Sequence, residues 1–162
     1  MTEQSRIAIH FSPVILGRIG SSNDDLRGWV GAFHEWFYDQ DPDWNFGRDV
    51  SNNPSGGSAY AWHLHMAPSE KEPDKSKLAR WLRTEEAYYR TSDRLVIYSL
   101  DKKHPHQHGM LILDLVGDPD GHKICFEQPS SPILLQKWED LAYTHQVAGY
   151  LPNGSVTISD SE

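Results

Sequence analysis

The run Leu95-Val-Ile-Tyr-Ser-Leu100 is followed, after Asp101–Gly109, by Met110-Leu-Ile-Leu-Asp-Leu-Val116. Both runs have strand length and are rich in aliphatic and β-branched residues, so they predict a β-hairpin with a long loop. The near-continuous apolar stretch LILDLV is the pattern of a central strand. Working outward, Ala61–Met66 alternates, with Trp62, Leu64 and Met66 facing a core while His63 and His65 share the other face. Arg6–Phe11 alternates through Ile7, Ile9 and Phe11, a further strand, and His122–Phe126 is expected as a last short one. Leu26, Trp29, Val30, Phe33, Trp36 and Phe37 recur at spacings of three and four behind Asn23, expected as N-cap, and the acids Asp24 and Asp25. A basic helix is predicted from Lys77 to about Tyr89, and a final helix begins at Ser131-Pro132 and carries Leu134, Leu135, Trp138, Leu141, Ala142 and His145. The order predicts an α+β domain: a small, mainly antiparallel sheet with helices packed on one side. Residues 1–148 are expected as a single domain, with 149–162 a flexible acidic tail.

The 162 residues leave little room for a second core. No stretch approaches the ~18–20 apolar residues of a membrane span. The start, MTEQSRIAIHFSPVIL, lacks the features of a signal peptide, which predicts a cytoplasmic protein without a membrane partner. A single cysteine, Cys125, excludes an internal disulfide framework and a zinc site built on two thiolates, and its apolar strand predicts a buried thiol. The net charge of −8 argues against indiscriminate attraction to phosphate. The charge is uneven, however: residues 71–103 hold nine Lys and Arg against six acids. Nucleic acid would meet this segment, unless its Lys and Arg simply form a solvated helix face.

The nine histidines carry most of the candidate chemistry. On β spacing, His63 and His65 place two imidazoles roughly 7 Å apart on one strand face. Such a pair suits general acid–base work on a phosphodiester; it equally fits two hydrogen-bonded histidines at a sheet surface. His104, His106 and His108 alternate in KKHPHQHG, a spacing open to a transition metal, although a polar loop tip that becomes cationic near neutral pH fits better. Arg48 and Asp49 follow Phe46-Gly47 in a turn-like setting, where the arginine can clamp phosphate or pair with the acid. Arg90-Thr-Ser-Asp-Arg94 opens into a strand at the sheet rim. Tyr98, expected on the face opposite Val96, can stack on a base or fill the core. Neither a phosphate-cradling glycine loop nor a GxSxG elbow is present.

In order along the chain, FGRD (46–49), HLH (63–65), RTSD (90–93), LVIY (95–98), LILDLV (111–116) and HK (122–123) before a final helix resemble the YafO family of bacterial toxins. The resemblance covers about residues 7–146. It implies a toxin of a type II toxin–antitoxin pair that cleaves mRNA on the translating ribosome and inhibits translation. It also implies a fold similar to RelE toxins and a cognate protein antitoxin. The matching positions are Arg48, Asp49, His63, His65, Arg90, Asp93, Tyr98 and His122. Physical assignment of the reaction needs a base at the ribose 2′-hydroxyl, a cation at the phosphorane oxygens and an acid at the 5′-oxygen. Arg48 and Arg90 are expected on phosphate, His63 or His65 as base or acid, and Asp49 and Asp93 as orienters of the cations. Lys77, Arg80, Arg83, Tyr98 and His122 are expected to bind RNA. No metal or cofactor is required.

The acidic net charge departs from what a ribosome-dependent nuclease leads one to expect, so naked RNA should be cleaved weakly or not at all. The alternative from another class is a non-enzymatic acidic inhibitor or binding protein that docks on a basic partner. A third reading is a metal-dependent enzyme using His104, His106 and His108.

Overall fold

The computed structural model describes residues 6–38, 45–52, 59–68, 75–117, 121 and 123–159. In chain order the elements are β1 (Ile9–Phe11), α1 (Pro13–Ile19), α2 (Asn23–Phe37), β2 (Phe46–Ser51), β3 (Ala61–Met66), α3 (Lys75–Arg83), a 3-10 turn (Ala87–Tyr89), β4 (Leu95–Leu100), α4 (Pro105–His108), β5 (Met110–Val116), a π-helix (Lys123–Glu127), α5 (Ser131–Ala148) and β6 (Val156–Ile158). Among the described residues the strands form one sheet in the order β2-β3-β4-β5-β1-β6. β1 and β5 are parallel and the other neighbours antiparallel. The two apolar runs pair as the hairpin β4–β5, whose loop folds into the short α4.

The α+β class and mainly antiparallel sheet are as expected, but the helices cover both faces of the sheet rather than one. The reason lies in β4, where every residue is buried and apolar side chains occur at both parities. Val96, Tyr98 and Leu100 meet Ile15, Leu26, Val30 and Phe33 of α1 and α2, while Leu95 and Ile97 meet Trp138 and Ala142 of α5 and Cys125 of the π-helix. Tyr98 therefore shares the face of Val96, contrary to the expectation from sequence.

Other differences are local. Ser22, not Asn23, caps α2, its Oγ accepting from Asp25 N at 3.2 Å. The basic helix stops at Arg83 and is followed by the separate 3-10 turn. Lys123–Glu127, which contains Cys125, is a π-helix where a strand was expected over His122–Phe126. The expected tail after residue 148 supplies an edge strand instead: Gly149, in the left-handed conformation at φ 74°, turns the chain out of α5, and β6 pairs with β1. Val156 and Ile158 pack on the α2-side core, while the acids Asp160 and Glu162 come after the strand. Among the described residues no helix is long and apolar enough to cross a membrane.

Candidate active site

β2 contains the irregularity that shapes the site. Phe46 pairs with Met66, Asp49 with Leu64 and Val50 with His63, so one extra residue is accommodated between Phe46 and Asp49. Gly47 and Arg48 consequently both stand opposite His65. Gly47 is required there because a Cβ would overlap the Arg90 carbonyl and the Trp81 ring. The bulge also sets the faces. Phe46 stacks on Phe33 of α2 at 5.3 Å, and Asp49 lies on that same side, accepting from the Tyr98 hydroxyl at 2.6 Å.

His63 and His65 occupy the opposite face, their ring centroids 5.5 Å apart. His63 Nδ1 lies 2.8 Å from Asn52 Oδ1, an acceptor, which favours the Nδ1–H tautomer and leaves the Nε2 lone pair as the basic site. His65 Nδ1 lies 2.9 Å from both the N and the O of Ser92: it accepts from the peptide N–H when it carries no proton and donates to the carbonyl when it does. The rings are 5% and 3% exposed, and the Phe126 ring of the π-helix lies 5.6 Å from His63. Arg48 is half-buried, with its guanidinium 4.5 Å from the Tyr88 ring centre and Nη2 donating to the Tyr88 hydroxyl at 3.2 Å. Among the described residues its buried Nε has no hydrogen-bond partner, nor has Asn52 Nδ2. Unmet buried donors are uncommon in folded proteins and mark places where a ligand can supply the acceptor.

The remaining expected site residues are distributed elsewhere. Arg90 is buried, and its guanidinium is committed to main-chain carbonyls: Nε and Nη2 to Phe46 O at 3.2 and 2.9 Å, Nη1 to Thr84 O and Glu85 O at 3.2 Å each. This ties the 3-10 turn to β2, a structural use in place of the expected phosphate clamp. Asp49 binds Tyr98 and Lys102, the latter at 2.7 Å, and so does not orient Arg48. Tyr98 is buried; burial first, then the Asp49 charge, hold its hydroxyl protonated well above the ordinary range, and it fills the core. Asp93 pairs with Lys77 at 3.4 Å. Arg80 and Arg83 are exposed on α3. His122 lies outside the described residues. Cys125 is buried and its thiol is raised to about 12, chiefly by burial. Among the described residues no group of three or more His, Cys, Asp and Glu is placed to hold a metal ion.

The sequence matches the family described as Toxin YafO, type II toxin-antitoxin system, over residues 34–146. The chain belongs to the YafO toxin family. No curated protein and no solved structure matches it. As a YafO-family toxin it is the toxin half of a type II pair, with an antitoxin as its partner. The matched stretch of this YafO-type chain contains β2, β3 and the π-helix, and with them the imidazole pair and Arg48. Sequence reasoning missed Asn52, Phe126 and Tyr88. Reading FGRDVS as a strand would have revealed Asn52, because it then falls beside His63 across the β2–β3 ladder.

Proposed function

We propose that this toxin is an endoribonuclease that cleaves mRNA on the translating ribosome and so inhibits translation. The observation that carries the reading is the pair of facing imidazoles on β3, opposite a bulge whose arginine has an unmet Nε donor. The two imidazoles divide the work. His63 Nε2 takes the proton of the ribose 2′-hydroxyl, and the 2′-oxygen bonds to phosphorus. Arg48 donates to the non-bridging oxygens as charge builds there. The bond from phosphorus to the 5′-oxygen breaks, and His65, entering the step as the imidazolium, gives its Nε2 proton to that oxygen and ends as the neutral ring. The products are a 2′,3′-cyclic phosphate and a 5′-hydroxyl. Side chains alone carry the scheme, without a metal or cofactor.

The ribosome supplies the positioning that a chain of net charge −8 does not obtain from bulk electrostatics, and Lys77, Arg80 and Arg83 of α3 face the RNA. The substrate reaches the rings by displacing Phe126, which sits on a short π-helix, an uncommon element frequent at functional sites. The antitoxin masks this surface until it is removed.

The test is induction in bacteria with mapping of mRNA ends. Wild type arrests growth and leaves new ends on translated messages; the double variant His63→Ala/His65→Ala, checked for folding, does neither. Arrested cells with intact mRNA would overturn the reading. The deep burial of both rings favours a second one, in which the pair is structural and the toxin blocks a basic partner by binding without cleavage. Under that reading the double variant still arrests growth.

A further inference from the structure

Tyr88 and Tyr89 are 59% and 65% exposed, side by side on the 3-10 turn Ala87–Tyr89. Two large rings left in water add little to folding stability, yet the backbone beneath them is firmly anchored. Arg90 follows the turn and ties Thr84 and Glu85 to Phe46, Arg90 N donates to Ala87 O, and Arg48 N donates to Arg90 O at 2.9 Å. Aromatic rings on a fixed turn bind with little loss of conformational freedom. The rings stand edge to face, 5.2 Å apart at 87°, and the Arg48 guanidinium lies over Tyr88.

We propose that Tyr89, supported by Tyr88, is a stacking platform for one base of single-stranded RNA whose backbone phosphate is taken by Arg48. The inference rests on the ribonuclease reading above and deepens it by assigning a base-binding subsite. Stacking together with a neighbouring cation is how unpaired bases are held without sequence readout. Bulk charge is not the attraction, because Glu85 and Glu86 precede the turn and both are exposed. The buried, unpartnered Nε of Arg48 favours a phosphate-bearing occupant over an apolar peptide, since a phosphate oxygen supplies the missing acceptor.

The experiment titrates wild type, Tyr89→Phe and Tyr89→Ala into a short single-stranded RNA carrying 2-aminopurine, whose fluorescence is quenched by stacking. Thermal melting confirms that each variant is folded. Saturable quenching by wild type and Tyr89→Phe, with affinity weakened about tenfold or more in Tyr89→Ala, supports the platform. It is overturned by wild type that gives no quenching at millimolar RNA, by Tyr89→Ala binding as wild type does, or by polyphosphate displacing the RNA equally well from both. A Tyr89→Ala variant that loses only antitoxin affinity also overturns it, because the rings then serve a protein. Cleavage of mRNA on programmed ribosomes is read separately. Quenching without cleavage sinks the ribonuclease reading and keeps the platform, whereas cleavage with no effect of Tyr89→Ala on either readout sinks the platform alone.

Discussion

Around β1 and the start of β5, His10 and His145 both direct Nε2 at the carbonyl of His108, at 2.8 and 3.0 Å. Their Nδ1 atoms meet the hydroxyls of Thr157 and Ser99, each at 2.7 Å. On β3, by contrast, His63 and His65 face each other at 5.5 Å beside donors that have no acceptor among the described residues, Arg48 Nε and Asn52 Nδ2. In the first group each of these two rings has a main-chain acceptor and a hydroxyl, so the neutral Nε2–H form is built in. It works as a clasp joining β1, α4 and α5. In the second group the surrounding hydrogen bonds are incomplete. The same side chain is structural where its partners are complete and a candidate for chemistry where nearby valences are open.

The largest expected effect separates the two groups by activity. His63→Gln or His65→Gln lowers mRNA cleavage on ribosomes by about 10²–10⁴-fold, the usual worth of a general acid or base, while urea unfolding of the variant stays cooperative. Equal loss of activity in a His10→Gln variant that remains folded would erase the distinction.

Next in size is acid stability, which should report the clasp. His145 is fully buried, and burial, reinforced by the charges of His10 and His108 and opposed by the hydrogen bond to the His108 carbonyl, lowers it to about 4. The unfolded chain takes this proton near 6.5, the native chain only near 4, so the unfolded state binds more protons between those values. Stability is complete above about pH 6.5 and falls on acidification, by about 3 kcal/mol once pH 4 is passed. Burial lowers His10 as well, so its contribution has the same sign. Urea unfolding at a series of pH values measures the slope; His145→Gln flattens it.

Somewhat smaller is the effect of Gly47→Ala, which tests whether the incomplete site depends on the bulge. The added methyl meets the Arg90 carbonyl and Trp81, and overpacking of this kind costs about 1–3 kcal/mol. Activity should fall together with stability because Arg48 is displaced, and a urea midpoint beside a cleavage assay reads both. Smallest is Lys77→Ala. Its pair with Asp93 is about half exposed on both sides and contributes less than about 1 kcal/mol, so stability barely moves. Ribosome association of the variant should become less sensitive to salt.

Much of the fold was legible because it is periodic. The alternation in Ala61–Met66 placed the histidines together on one face, and the three-and-four spacing after Asn23 located α2. The nearly even hydrophobicity of β4 was equally readable as burial on both sides, although helices on one side only were expected. The site was less legible. Arg48 and Asp49 are adjacent, yet the bulge sends Asp49 to the face of Tyr98 while Arg48 stands opposite His65. One extra residue inverts the parity of everything before it, and no composition signal marks it. β6 is only three residues long, too short for a periodicity to stand out from a terminal segment.

The sequence by itself determined the α+β class, the hairpin at the centre of the sheet and the pairing of His63 with His65, because each follows from side-chain spacing along a few consecutive residues. Tertiary structure alone decided which polar groups found partners. Arg90 and Phe46 are 44 positions apart, and only their meeting turns a candidate phosphate clamp into a brace for the Tyr88–Tyr89 turn. Hydrogen-bond satisfaction is a property of distant neighbours brought within about 3 Å, and that separates a structural cation or imidazole from one left open for a ligand.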